Sequence, residues 1–95
     1  MMYSVSKELY QEVMSRLLEA VGPGSYYSGT LAFEYGEMEC RLTASVIVYR
    51  ERVHYPEGIR DEITDLVPVW WEFHTADEAG EFLNDFSFSE LRSLL

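Results

Sequence analysis

The chain is poor in the residues that build disulfides and metal sites. Among its 95 residues are one cysteine and two histidines. One cysteine cannot form an internal disulfide, and this set is too small for a typical four-ligand zinc site. Cys40 is expected to be a small apolar residue of a strand, because free cysteine is among the most often buried residue types. We therefore expect no metal and no cofactor.

Basic residues are scarce as well. Seven lysines and arginines face 17 acidic residues, which gives a net charge of −10. Such a charge repels phosphate backbones and anionic lipid headgroups, and residues 1–20 lack the apolar core of a signal peptide. We expect a cytoplasmic protein that binds neither nucleic acid nor membrane. An acidic DNA-mimic inhibitor is a minor alternative, since the acids cluster only at residues 57–65 and 77–85.

Apolar and aromatic residues are plentiful, at 47% and 15%. This composition supports one folded core at this length, so residues 1–95 are predicted to form a single α+β domain. Apolar residues at a three-to-four spacing predict a helix over residues 5–21. Ser4 or Ser6 can cap its start, and Gly22-Pro23-Gly24 ends it.

Two alternating runs around Gly36-Glu37 predict a hairpin with a type II′ turn. Pairing Tyr35 with Met38 places Tyr27 opposite Val46 and makes one face of both strands apolar or small. That face should receive the helix. The predicted core combines residues from the helix and from three strands: Leu17, Leu31, Leu42 and Trp71.

Residues 53–65 interrupt the strand pattern. Pro56 and Gly58 predict a turn, and the acids after it predict a loop or a single helical turn. Beyond it, alternation predicts that Val67, Val69, Trp71 and Phe73 share one face of a third strand. Pro68 limits that strand to a sheet edge, or marks its start.

The last 20 residues predict a return of the chain and a terminal helix. A type I turn over residues 77–80 would lead into a fourth strand over 81–86, with Phe82 opposite Ala76. A short helix beginning at Thr75 is the competing interpretation. Ser87 and Glu90 form a potential capping box before the apolar residues 91, 94 and 95. The predicted order is an N-terminal helix, an antiparallel meander of three or four strands, and a short C-terminal helix.

The adjacent tryptophans 70 and 71 must point to opposite faces of a strand. Trp71 is assigned to the core beneath the N-terminal helix. Trp70 is assigned to a second cluster with Phe82, Phe86 and Phe88, partly covered by the terminal helix. Packing under that helix is the favoured interpretation, and a dimer or partner surface is the alternative.

Several polar side chains accompany that second face. Glu72 and His74 lie about 7 Å apart along the strand, within reach of a carboxylate that orients an imidazole. No nucleophile occurs at a matching spacing, and Arg50 could bind an anionic ligand or a partner's carboxylate. The candidate partner-binding or ligand-binding residues are Tyr26, Tyr49, Arg50, Trp70, Glu72 and His74.

These features favour a non-enzymatic protein-interaction or accessory module. Its expected partner is another protein or a second copy, in a weak homodimer built around Trp70 and Tyr49 that tightens with salt. The alternative is a small-molecule binding protein or a small dimeric enzyme that uses Glu72 and His74.

Overall fold

The structure is a computed structural model, and it describes residues 2–95. The elements in chain order are α1 (Lys7–Val21), β1 (Tyr26–Tyr35), β2 (Met38–Tyr55), β3 (Gly58–Asp77), β4 (Gly80–Phe82) and α2 (Phe88–Arg92). The strands form one antiparallel sheet in the order β1-β2-β3-β4. This is the α+β fold predicted from the sequence. Among the described residues, no helix is long and apolar enough to span a membrane.

Helix α1 begins and ends as its sequence predicts. Ser6 is the N-cap, and its side chain accepts a hydrogen bond of 3.1 Å from the backbone N–H of Leu9. Gly22 ends the helix with φ 61°, a conformation that favours glycine. The buried residues of α1 recur every three or four positions and pack on the sheet: Leu9, Val13, Met14, Leu17 and Val21.

The β1–β2 hairpin has the predicted register, with Tyr35 opposite Met38 and Tyr27 opposite Val46. A type II′ turn requires positive φ at its first central residue and negative φ at its second. Gly36 has φ 64°, and the φ of Glu37 is not positive, because within residues 2–95 only glycines have positive φ. We call the helix-covered side of the sheet the inner face and the opposite side the outer face. Cys40 is buried on the inner face, and desolvation raises the pKa of its thiol to about 11.

The turn predicted at Pro56 and Gly58 is confirmed, but the loop or helical turn predicted for the acids after it is wrong. Strand β2 continues to Tyr55, and β3 begins directly after the Pro56-Glu57 turn. Of the acids that suggested a loop, Asp61 lies opposite Arg52 at 3.6 Å, and Glu62 lies opposite Glu51 and accepts a hydrogen bond from Tyr55. We call the two-stranded ribbon formed by residues 50–55 and 58–63 the arm.

Strand β3 contains irregularities that the alternation pattern did not predict. Its register shifts opposite Ser45/Val46 and again opposite Tyr49/Arg50. Pro68 lies opposite Val46, Trp70 lies opposite Ser45, and Val69 between them has no partner, which defines a β-bulge. The sequence had predicted that Val67 and Val69 share the inner face with Trp71. Because of the bulge they do not. Because β4 pairs only with residues 75–77, Pro68 lies at an edge, which confirms the edge interpretation.

The β3–β4 connection is a hairpin, so the alternative of a helix from Thr75 is wrong. The strand is shorter than predicted, and Phe82 lies opposite Thr75 rather than Ala76. Thr75 is fully buried and donates a hydrogen bond of 3.0 Å to the carbonyl oxygen of Phe82. Side chains alternate along a strand, so this shift of one residue moves Phe82 to the inner face.

The C-terminal segment also packs on the inner face. Phe86 stacks on Phe73 with ring centroids 4.2 Å apart and meets the edge of Trp71 at 5.4 Å. Phe88 and Leu91 of α2 are buried in the same core. Three phenylalanines (82, 86 and 88) thus belong with Trp71, and the predicted packing of Trp70 under the terminal helix is wrong.

Helix α2 is held by side-chain packing and by an ion pair. Among the described contacts, Ser87 makes no side-chain capping bond, so the predicted capping box does not form. Arg92 instead donates to both carboxylate oxygens of Asp65 on β3, at 3.0 and 2.6 Å. These hydrogen bonds hold the pKa of Asp65 below its usual value.

The predicted core is only partly enclosed. Leu17 and Leu42 are buried as predicted, whereas Leu31 and Trp71 pack against the core but remain partly exposed. Trp71 gains its cover from Phe86 and Phe88 rather than from α1 alone. The assignment of the two tryptophans to opposite faces is confirmed.

The adjacent tryptophans provide a matched test of this assignment. Trp71→Ala should lower the free energy of unfolding by about 3 kcal/mol, because it removes a ring from the Phe86 and Phe88 cluster. Trp70→Ala should change it by less than about 0.5 kcal/mol, because that ring is half exposed. Urea unfolding of both variants measures the difference. Equal losses would contradict the assignment of the two faces.

Candidate functional site

The outer face carries a cluster of exposed or partly exposed apolar side chains that we call the outer patch. Its members come from three neighbouring strands: Tyr26, Ile47, Tyr49, Val67 and Trp70. Tyr26 is 56% exposed, Tyr49 50% and Trp70 49%. Both helices pack on the inner face, so nothing within residues 2–95 covers the patch.

Strand register assembles the outer patch from distant parts of the sequence. Ile47 lies opposite Tyr26 on one side and Val67 on the other. Trp70 lies opposite Ser45, one row along the sheet. Val67 and Trp70 are three residues apart and would point to opposite faces of a regular strand. The bulge at Val69 puts both on the outer face.

The size of the patch is comparable to the largest apolar patch of a typical monomer. Half-exposed aromatic rings of about 200 Å² each amount to roughly 300 Å² for the three aromatic members. The largest apolar patch on a typical monomer is about 300–600 Å² and is often functional. The outer patch is therefore a candidate contact surface.

His74 lies on the same face, between two carboxylates. Its Nε2 is 3.0 Å from Glu72, and its Nδ1 is hydrogen-bonded to Glu81. The hydrogen bond to Glu72, and then that to Glu81, raises the pKa of His74 above its usual value near 6.5. The sequence predicted the partnership with Glu72 but missed Glu81, because the assumed β3–β4 register placed Glu81 on the inner face.

This arrangement suits a charged cluster better than a catalytic base. An imidazolium that donates from both nitrogens has no lone pair left to accept a substrate proton or to bind a metal. The neighbouring hydroxyl on the outer face, that of Thr43, is hydrogen-bonded to Thr30 at 3.0 Å. Within residues 2–95, no group of three potential ligands is arranged to hold a metal ion.

Arg50 lies away from the other candidate residues, on the inner side of β2. Its guanidinium donates hydrogen bonds to the carbonyl oxygens of Gly22 and Gly24, the latter at 2.9 and 3.2 Å. The last carbonyls of a helix lack partners within the helix, and Arg50 supplies donors at that point. The structure thus places Tyr26, Tyr49, Trp70, Glu72 and His74 on the outer face, with Glu72 and His74 beyond Trp70 towards one end of the sheet, and it places Arg50 on the other face.

An open groove borders the cluster of His74 and its carboxylates at the free edge of β3. It has a volume of about 510 Å³, and its lining includes His74, Glu81, Trp71 and Asn84. Glu72 does not line it. This groove therefore does not join Glu72 and His74 to a third polar group.

Comparison of the chain with protein-family models, with curated proteins and with solved structures finds no match in any of the three.

The hydrogen-bonded His74 cluster predicts a definite dependence on pH. Because the pKa of His74 is raised in the folded state, protonated His74 stabilises the fold. This stabilisation is fully present below about pH 6.5 and is lost as the pH rises through the folded-state pKa. We expect His74→Gln to lower the melting temperature slightly at pH 5.5, and to have no effect at pH 9. The effect is small because each exposed pair contributes less than about 1 kcal/mol.

NMR titration of the imidazole tests the cause directly. The pKa of His74 should lie above 6.5 in the wild type and fall in the Glu72→Gln and Glu81→Gln variants. A His74 pKa that is unchanged by both substitutions would contradict the assigned contacts.

Proposed function

We propose that the protein is a non-enzymatic interaction module and that the outer patch is its contact surface. Its partner there is a second copy of the chain, in a weak homodimer. The observation that carries the proposal is the exposure of Trp70, Tyr49 and Tyr26 on a sheet face without a covering helix.

Sheet geometry supports a face-to-face contact. Two sheets stack about 10 Å apart with their strands about 30° from parallel. A two-fold axis through the outer patch would bring the aromatic side chains of both copies together, and two-fold pairing is the commonest arrangement of soluble oligomers. Aromatic residues are enriched at interface centres, where they bind most strongly.

The charge distribution permits this pairing. The outer patch contains no ionisable acid or base other than its tyrosines, and Asp65, which lies opposite Tyr49, is paired with Arg92. The carboxylates of the outer face lie beyond the patch: Glu34, Glu39, Glu72 and Glu81 towards one end, Glu51 and Glu62 on the arm. Two copies at −10 still repel at long range, and salt screens that repulsion over about 8 Å at physiological ionic strength.

The area of the patch sets the expected strength. A standard interface buries about 800 Å² on each partner, well above the roughly 300 Å² of aromatic surface available here. We therefore propose a dissociation constant that is roughly micromolar or weaker. The charge also disfavours a nucleic-acid partner, and a single free cysteine suits the cytoplasm.

Light scattering across protein and salt concentration tests the homodimer. Self-association should tighten as salt rises, because screening reduces the repulsion between two acidic chains. Trp70→Ala and Tyr49→Ala should each weaken it about tenfold, because they remove central aromatic contacts.

Ile59→Ala is the matched control. Ile59 is 58% exposed but lies on the arm, outside the outer patch, so its loss should leave association unchanged. A wild-type protein that stays monomeric at high concentration in both low and high salt would refute the homodimer.

A further inference from the structure

We propose that the free edge of β1 is a strand-addition site, and that its occupant is β1 of a second copy. The two strands pair antiparallel with Leu31 at the two-fold axis, so that two four-stranded sheets join into one continuous sheet. This contact uses the edge of the sheet rather than the outer patch, and it does not depend on the proposed function.

The site consists of backbone groups. β1 is the terminal strand of the sheet and pairs on one side only, through ten residues facing β2. On the other side, alternate N–H and C=O groups point away from the sheet. No backbone or side-chain hydrogen bond from elsewhere in residues 2–95 reaches them. Such an edge is a template for another strand.

The opposite edge of the sheet is protected. The N-terminal segment lies against the residues that follow β4, with Tyr3 N–H donating to Leu83 at 2.8 Å and Asp85 N–H donating to Tyr3 at 3.1 Å. The open stretch of β3 contains Pro68 and two register shifts. Proline and bulges are the devices by which natural proteins prevent edge-to-edge pairing.

Strand β1 carries none of those devices. Its sequence contains no proline and no lysine, and its only charged residue is Glu34. The ten pairs with β2 run without a register shift. β1 is therefore the long regular edge that such devices would normally protect.

The side chains of β1 also leave apolar surface to cover. Tyr27, Leu31 and Tyr35 point to the inner face and pack against the core, but each remains partly exposed. A second β1 alongside would place Leu31 against the partner's Leu31 and Tyr27 against the partner's Tyr35. Cross-strand pairs of this kind stabilise a sheet.

The same register keeps like charges apart. Glu34 would lie opposite the partner's Ser28, which separates the two Glu34 carboxylates by about 20 Å along the strands. This exceeds the screening length of about 8 Å at physiological salt. On the helix side, Arg16 lies 4.6 Å from the Phe33 ring and pairs with Glu12 at 2.8 Å, so the flanking charges cancel. β1 thus complements itself, which favours a second copy over an unrelated strand.

Charge-swapped variants test both the edge and the register. Thr30 and Ala32 are exposed on the outer face. In this register Thr30 of one copy lies opposite Ala32 of the other. The variant T30K/A32K therefore opposes lysine to lysine, and T30E/A32E opposes glutamate to glutamate. All variants carry Trp70→Ala, which weakens association through the outer patch. Gln11→Lys with Ser15→Lys on exposed positions of α1 is the charge-matched control.

Size-exclusion chromatography with light scattering provides the readout. We expect the Trp70→Ala parent and the α1 control to self-associate. Each charge-swapped variant alone should associate at least about tenfold more weakly than the parent. An equimolar mixture of the lysine and glutamate variants should recover dimers that contain one chain of each. The β1 amides of the parent should also exchange with deuterium more slowly at high protein concentration.

Two results would overturn the edge contact. One is a parent that is monomeric at high concentration, and the other is charge-swapped variants that associate as strongly alone as they do when mixed. Neither result affects the outer patch, which is tested by the difference in association between the wild type and the Trp70→Ala parent. Association that persists in the Trp70→Ala parent and disappears in T30K/A32K would support the edge alone.

Discussion

The buried hydroxyl of Thr75 determines which side of the sheet the C-terminal third of the chain covers. It donates to the carbonyl oxygen of Phe82 and accepts, at 3.1 Å, from the side-chain amide of Asn84, which also donates to the carbonyl oxygen of Phe73 at 3.0 Å. A buried hydroxyl without partners costs about 1–3 kcal/mol, so these bonds favour one hairpin register over its neighbour. Because side chains alternate, that register places Phe82 on the inner face.

The location of the exposed surface follows from this choice. With Phe82, Phe86 and Phe88 on the inner face, α2 joins α1 there and stacks its aromatic cluster on Trp71 and Phe73. The outer face receives no helix. The bulge at Val69 then gathers Val67 and Trp70 on that face, and the same register brings Glu81 to His74. The uncovered outer face and the position of Glu81 beside His74 thus share one structural origin.

The features that the sequence predicted correctly are local ones. Periodicity and end signals located α1, and the glycine turn fixed the β1–β2 register residue by residue. The arm was missed because its run of acids resembles a loop, and only the strand register reveals the cross-strand partners of Asp61 and Glu62. The β3–β4 register was missed because the turn residues allow two registers, and only the long-range burial of Thr75 and Phe82 separates them. Glu81 was lost from the candidate site for the same reason. Arg50 was included because its contact with the carbonyl oxygens at the end of α1 is formed by distant residues and has no local sequence signal.

The exposure of Trp70 on a surface that closes against another chain is the central claim, and a single-tryptophan protein tests it most directly. In a Trp71→Phe variant all tryptophan emission comes from Trp70, and acrylamide, which is uncharged, reports its accessibility despite the acidic surface. Quenching should be efficient in dilute protein at low salt and should fall as protein and salt concentrations rise. Weak quenching in the dilute monomer, or quenching that does not change with concentration, would contradict the account.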